Sequence, residues 1–246
     1  MAITIDGVEI TGATIDGTDV QEITIDGVSV WEAGPSHGDN EAGYYGTVDA
    51  VDFIDGPTLA SDIGLTAGTA YNDDTPWLQF AWNGGIVMVP QKPLRHSISW
   101  DQIDAEDAVY GGTGAPIVTI NVEDYKVRLF RVANVDPVSY SLVGSEFWDS
   151  EWNKLMLPIH ANAPSSWAYP EFVDGSTEDW GIDFDDEDLL TDSSYGDGSY
   201  TWGQETLGPH PSYRVGRGYG GVSYANNLRA DNTIDYLGWR PLLTQL

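Results

Sequence analysis

Near the start of the chain, apolar and polar positions alternate in a pattern that repeats with a period of ten: Ile3-Thr-Ile-Asp-Gly-Val-Glu-Ile10, Ala13-Thr-Ile-Asp-Gly-Thr-Asp-Val20 and Ile23-Thr-Ile-Asp-Gly-Val-Ser-Val30. Asp-Gly between alternating β-formers predicts a two-residue hairpin turn, because a type I′ turn needs positive φ at both central positions. Ile5 then pairs with Val8 and Ile3 with Ile10 on one face, and Thr4 with Glu9 on the other. Ile15, Ala13 and Val20, then Ile25, Val28, Ile23 and Val30, repeat the arrangement. Each hairpin is left with one apolar face and too little mass to bury it. Residues 1–33 are therefore expected to form an attachment or oligomerisation segment packed against copies of itself; the alternative is that the hairpins cover the domain that follows.

Residues 34–76 carry only short apolar runs, Val48 to Ile54 and Leu59 to Leu65, among Gly, Asp, Ala and Thr, and read as a linker or small subdomain. From residue 77 the pattern tightens. Trp77-Leu-Gln-Phe-Ala-Trp82 and Ile86-Val-Met-Val-Pro90, joined at Asn83-Gly-Gly85, predict a strand pair that Pro90 ends. Ser99 to Val109, with a Ser start, early acids and apolar residues at 100, 103, 105, 108 and 109, predicts an amphipathic helix. Ile117 to Val122 and Tyr125 to Val132 predict a second strand pair, and Ser145 to Met156 a second helix. Residues 158–211 offer few strand signals and many Gly, Ser, Asp, Pro and aromatic residues, so they predict long loops, which in a folded domain are usually functional. Strand texture returns over Tyr213 to Tyr224 and Gly238 to Leu243. The expected class is α+β, with one domain spanning 77–246.

Charge narrows the partners. The chain holds 39 Asp+Glu against 10 Lys+Arg, a net charge of −29, and no cysteine. Such a surface repels phosphate, which argues against nucleic acid and anionic membranes. Lack of Cys removes disulfides, thiolate metal sites and cysteine nucleophiles. No apolar stretch approaches the roughly 20 residues of a membrane span, and Met1-Ala-Ile-Thr lacks a basic, apolar leader, so neither a span nor an export signal is expected. Ten Trp, thirteen Tyr and six Phe supply a core, so the acids belong to folded surface. They comprise 27 Asp and 12 Glu, beside 7 Arg and only 3 Lys. That balance suits molar salt, where a Debye length of about 3 Å or less screens self-repulsion; a halophilic source is expected. All ten bases fall in residues 92–157 and 214–246. The base-free blocks read as solvated surface and the other two as scaffold.

Arg214-x-x-Arg217-Gly218 with Gly220, Gly221 and Ser223, then Gly238-Trp239-Arg240-Pro241-Leu242, resembles the C-terminal signature of the C-type-lectin-like fold found in sulfatase-modifying factors and many tailed-virus adhesins. Upstream, the Trp77-Leu-x-Phe start, Pro90-x-Lys-Pro-Leu-Arg95-His96-Ser-Ile-Ser-Trp100, Tyr125-x-Val-Arg128-Leu and Ser145-Glu-x5-Trp152-Asn153-x-Leu155 resemble, in order, a domain of virion tail proteins. The Ile-Thr-Ile-Asp-Gly repeats resemble the attachment ends of virus tail fibres. The resemblance implies a C-type-lectin-like domain in a virion structural protein: a homotrimeric tail fibre or receptor-binding adhesin of an archaeal virus. Its implied partners are copies of itself, other tail or baseplate proteins, and a host surface glycoprotein or glycan. Arg217, Gly218, Trp239 and Arg240 are implied scaffold, with both arginines bonding backbone carbonyls or a buried acid such as Glu146. The enzyme branch of this fold oxidises a substrate cysteine with its own cysteines, so the resemblance implies no enzyme here. A baseplate or capsid-decoration protein without receptor contact and a surface glycan-degrading enzyme are the alternatives.

Four histidines, His37, His96, His160 and His210, and no Gly-x-Ser-x-Gly elbow leave little for nucleophilic catalysis. A glycosidase needs two carboxylates about 5 to 10 Å apart in an aromatic-lined cleft, one with a raised pKa. The run Asp179 to Asp188, with Asp183, Asp185, Asp186 and Asp188 at alternating positions, is a candidate site for calcium or another hard cation, although it lacks EF-hand spacing. A solvated acidic loop is the alternative, and no other cofactor is expected. Trp167, Tyr169, Trp180, Tyr195, Tyr200 and Trp202 lie in the same region. Rings there either pack beneath the loops or present stacking platforms, so residues 158–211 are the expected recognition surface.

Overall fold

The structure, a computed structural model, describes residues 34–161, 169–174 and 177–246, together with the backbone of six short strands between Thr4 and Glu32. Those strands form three separate hairpins. Thr4 lies opposite Glu9 and Ile5 opposite Val8; Thr14 faces Asp19 and Ile15 faces Thr18. In the third, Ile25 meets Val28, but a bulge makes Val30 the extra residue and sets Ile23 opposite Trp31 instead. The outer pairs Ile3 with Ile10 and Ala13 with Val20 lie outside the described residues.

The rest is built on two seven-stranded sheets. The first runs Ile117–Ile120, Glu123–Arg128, Leu242–Gln245, Gly85–Pro90, Trp77–Trp82, Ala42–Val48 and His37–Gly38, each antiparallel to its neighbours. The second runs Gly221–Arg229, His210–Gly218, Tyr200–Gly208, Leu237–Trp239, Arg95–His96 and Thr69–Ala70, with Val138–Ser139 beside Tyr200–Gly208. Helices are few and short, so the molecule is a β-rich α+β protein. Alternate side chains of the first sheet feed two different cores. Trp77, Met88, Val127 and Leu243 enter one; Leu78, Phe80, Val87, Val89 and Leu242 enter the other. Burying each such side chain contributes about 1.5 to 3 kcal/mol. Trp77, Trp152 and Trp202 are fully buried and donate their indole N–H to the carbonyls of Ile54, Val222 and Ile98 at 2.7, 2.9 and 2.9 Å. Each ring thus fills a core and ties two distant segments together.

Residues 34–76 are integral to this body rather than a linker, and the domain begins near His37 instead of Trp77. Ala42–Val48 pairs along Trp77–Trp82, with Tyr44 opposite Phe80. Leu59, Ala60, Ile63 and Leu65 are buried in the first core. They ride on the helix Gly56–Asp62 and its exit, which Asp55 caps by accepting the Thr58 amide at 2.7 Å while Pro57 occupies the first turn. The two glycines in Ala-Gly-Tyr-Tyr-Gly-Thr-Val dilute the strand pattern that would have announced it.

The helix expected from Ser99 stops at Asp104, behind a reciprocal capping box between Ser99 and Gln102. The one expected from Ser145 starts only at Glu151. Ser150 accepts the Asn153 amide at 3.2 Å, and Gly144–Glu146 is a separate 3-10 turn. Residues 158–211 are not loop throughout, because Tyr200–Gly208 is a long strand of the second sheet. Gln204 and Glu205 are buried in it beside Trp202 and Leu207, so apolar-polar alternation was absent.

Candidate functional site

The six aromatics expected to form one recognition surface are dispersed. Trp167 lies outside the described residues. Tyr200 and Trp202 are 2% and 0% exposed and belong to the first core. Tyr169 is half-buried against Tyr224, ring centres 4.4 Å apart, at the rim of a tyrosine cluster in which Tyr200 stacks on Tyr219 at 4.8 Å. Tyr195 is exposed on a 3-10 turn capped by Asp192. Among the five that are described, Trp180 lines one of the two main cavities.

The acidic run folds on itself instead of around a cation. Asp185 caps the helix Asp186–Leu189 by accepting the Asp188 amide at 2.8 Å, and Asp188 returns the bond to the Asp185 amide at 3.0 Å. Asp186 accepts from Thr191 Oγ1 at 2.6 Å and the Val222 amide at 3.0 Å, with His160 Nε2 at 3.2 Å. Burial pushes its carboxyl up, but the hydrogen bonds from His160 and Thr191 outweigh this and hold it below the usual range. Among the described residues no three His, Asp or Glu side chains converge to hold a metal. Asp183, Asp185, Asp186 and Asp188 are thus helix-capping and loop-closing groups, or solvated, rather than a ligand set.

Arg217 and Gly218 end the strand His210–Gly218 of the second sheet, Trp239 ends Leu237–Trp239, and Arg240 follows it. Arg217 is fully buried and donates to Asn153 Oδ1 at 2.7 Å and to the carbonyls of Val132 and Ser223 at 3.3 Å. Arg240 donates to the Leu189 carbonyl, and both guanidinium groups lie within 6 Å of the Trp152 ring, at 5.8 and 5.7 Å. Burial pushes both down to about 9. Glu146 is not their partner; it accepts from the Ser139 amide and hydroxyl instead. Gly218 has φ of 103°, and a Cβ there would lie 2.9 Å from the Ser199 carbonyl oxygen.

Two neighbouring cavities of about 540 and 660 Å³ share Trp82, Asn83 and Asp149 in their linings and are taken together as the Trp82 cleft. Its midpoint is the tight hairpin between Trp77–Trp82 and Gly85–Pro90, where Asn83 and Gly84 take φ of 50° and 77°. The turn is fixed from outside: the Asn83 and Gly84 amides donate to the carbonyls of Glu41 and Asn40 at 3.1 and 2.8 Å. Trp82 is therefore held, half-buried, between the two halves. Lys126, Arg128, Arg131, Tyr110 and Asn134 line one half; Glu41, Lys154, Glu178 and Trp180 line the other.

Four of the ten bases thus share one cleft. Arg128 makes a two-pronged pair with Glu151 at 2.7 and 2.6 Å, and Glu151 also accepts the Arg131 amide at 2.9 Å. Lys154 lies 3.2 Å from Asp149. Among the described residues Lys126 has no ion pair. Arg131, its side chain 57% exposed, has Glu205 at 3.9 Å, and that carboxyl is pushed up to about 8 by burial. Sequence reasoning had placed these cations in scaffold; the signal available was the crowding of six bases into residues 92–157.

Six carboxylates bear on the glycosidase alternative: Asp39, Glu41, Asp149, Glu151 and Glu178 line the cleft, and Glu205 lies near Arg131. Glu151 is committed to Arg128, and Glu205, the carboxyl raised to about 8, is 2% exposed and does not line the cleft. Ser97 Oγ does lie 3.0 Å from His96 Nδ1, with Asp197 3.7 Å from Nε2. Ser97 and His96 are chain neighbours, and the three groups stand outside the cleft in the reverse of the nitrogen order a serine nucleophile uses. No protein-family model, curated protein or solved structure matches the chain. Among the described residues no helix is long and apolar enough to cross a membrane.

Proposed function

We propose that the chain is a virion attachment protein, a tail fibre or receptor-binding component of a tailed virus with a halophilic archaeal host. In this reading residues 1–33 join copies into a homotrimer and dock them to other tail or baseplate proteins. The domain, of C-type-lectin-like kind, faces outward and holds a glycan or glycoprotein of the host surface. The observation that carries the reading is the Trp82 cleft: concave, centred on a partly exposed aromatic ring and lined by amide and charged side chains, the composition of a small-ligand seat. The ordered Arg217-Gly218 and Gly238-Trp239-Arg240 motifs support the lectin-like assignment, since their side chains are buried structural ties. The role is binding without turnover. Several copies bound at once raise avidity by about a hundredfold or more over one weak site.

Adsorption of virus to host cells tests it. Purified protein competes for adsorption, and Trp82→Ala protein competes far less. Unimpaired competition by that variant removes the cleft from host recognition, and a defect confined to particle assembly returns the chain to the baseplate. Stability that does not fall when molar salt is withdrawn sinks the halophilic part of the reading.

A further inference from the structure

We infer that the cleft takes an acidic saccharide, with the acid group seated on Lys126 and Arg131 and a sugar ring against Trp82. This rests on the reading of the cleft as a glycan seat and adds the class of sugar. Over most of its surface a chain of net charge −29 repels an anion. In the cavity lined by Lys126, Arg128 and Arg131 three cations face two carboxylates, Asp149 and Glu151, whereas Asp39, Glu41 and Glu178 keep the neighbouring cavity acidic. Arg128 is neutralised by Glu151 and Lys154 by Asp149, whereas among the described residues Lys126 has no ion pair and Arg131 pairs with the more distant Glu205 alone. Burial pushes the Glu205 carboxyl up to about 8, which weakens it as a counter-charge to Arg131 at neutral pH. A guanidinium fork grips a carboxylate or sulfate in two places, and an ammonium adds a point charge. Such contact pairs persist where salt has screened the longer field. Asn83 and Asn134 offer amide donors and acceptors for hydroxyls. An acidic peptide fits less well, because the Asn83 and Gly84 amides are already bonded to Glu41 and Asn40 and leave no free strand edge there to pair with it.

Calorimetric titration of the full chain in molar salt, against matched oligosaccharides that are neutral, hexuronate-bearing or sulfate-bearing, tests this. Acid-bearing sugars bind at least about tenfold more tightly than the neutral one, and the two acid arms tell carboxylate from sulfate. Lys126→Gln with Arg131→Gln removes that preference, leaves neutral-sugar binding in place and keeps the thermal midpoint. Equal affinity for neutral and acidic sugars overturns the inference, as does a preference that survives both substitutions or an acidic peptide that binds as tightly. In those cases a Trp82-dependent affinity for neutral sugar keeps the wider reading standing. If no sugar binds and Trp82→Ala leaves adsorption unchanged, both fall.

Discussion

Arg217 and Arg131 both lie beside Val132 and do opposite work. Val132 donates its amide to Glu205 at 3.0 Å and its carbonyl accepts from Arg217 at 3.3 Å, while Arg131, one residue earlier, points its charge to the open cleft. The buried arginine has its main donors bonded inside the protein; the exposed one keeps its charge available. What separates scaffold from site here is the number of internal partners, not residue type or position in the chain.

The contrast breaks most visibly at Arg217. Arg217→Ala strands the Asn153 side chain and two carbonyls in the core and should remove about 3 to 5 kcal/mol of stability, read from denaturant unfolding. A loss under about 1 kcal/mol would show that the buried arginine is not structural.

Glu205 sharpens the same comparison through pH. Its carboxyl holds a proton up to about pH 8 in the folded chain against an ordinary value of 4.5. The folded state therefore binds more protons across that window, and wild-type stability falls as pH rises through it, by a few kcal/mol at most. Glu205→Gln has no proton to lose and flattens that slope; an unchanged slope in thermal scans from pH 5 to about 8 would assign it to other groups.

Smaller again is Asp185→Ala, which removes a helix cap and should lower stability by about 1 kcal/mol in the same unfolding assay, calcium having no effect on either protein. A calcium-dependent rise in the midpoint of the wild type alone would restore the metal reading. Least of all, Lys126→Gln should change stability by no more than about 0.5 kcal/mol, because the side chain has no partner to lose.

Legibility in the sequence followed locality. The Asp-Gly hairpins and the pair Trp77–Trp82 with Gly85–Pro90 were readable, since each is closed by its own turn residues. Ser150 displaced Ser145 as a cap because capping depends on which hydroxyl meets the third amide, not on the first Ser of an apolar run. Tyr200–Gly208 was hidden because its buried Gln204 and Glu205 are satisfied by Leu129 and Val132, far away in sequence. The cleft was hidden for a related reason. Trp82, Lys126 and Arg131 become neighbours only when Leu242–Gln245 slots between Gly85–Pro90 and Glu123–Arg128.

That central strand also bears on synthesis. Until residues 242–245 have left the ribosome, the first sheet stands as two halves, and the facing edges of Gly85–Pro90 and Glu123–Arg128 lack their partner. Pairings this remote in sequence form slowly, and open edges invite association between unfinished chains.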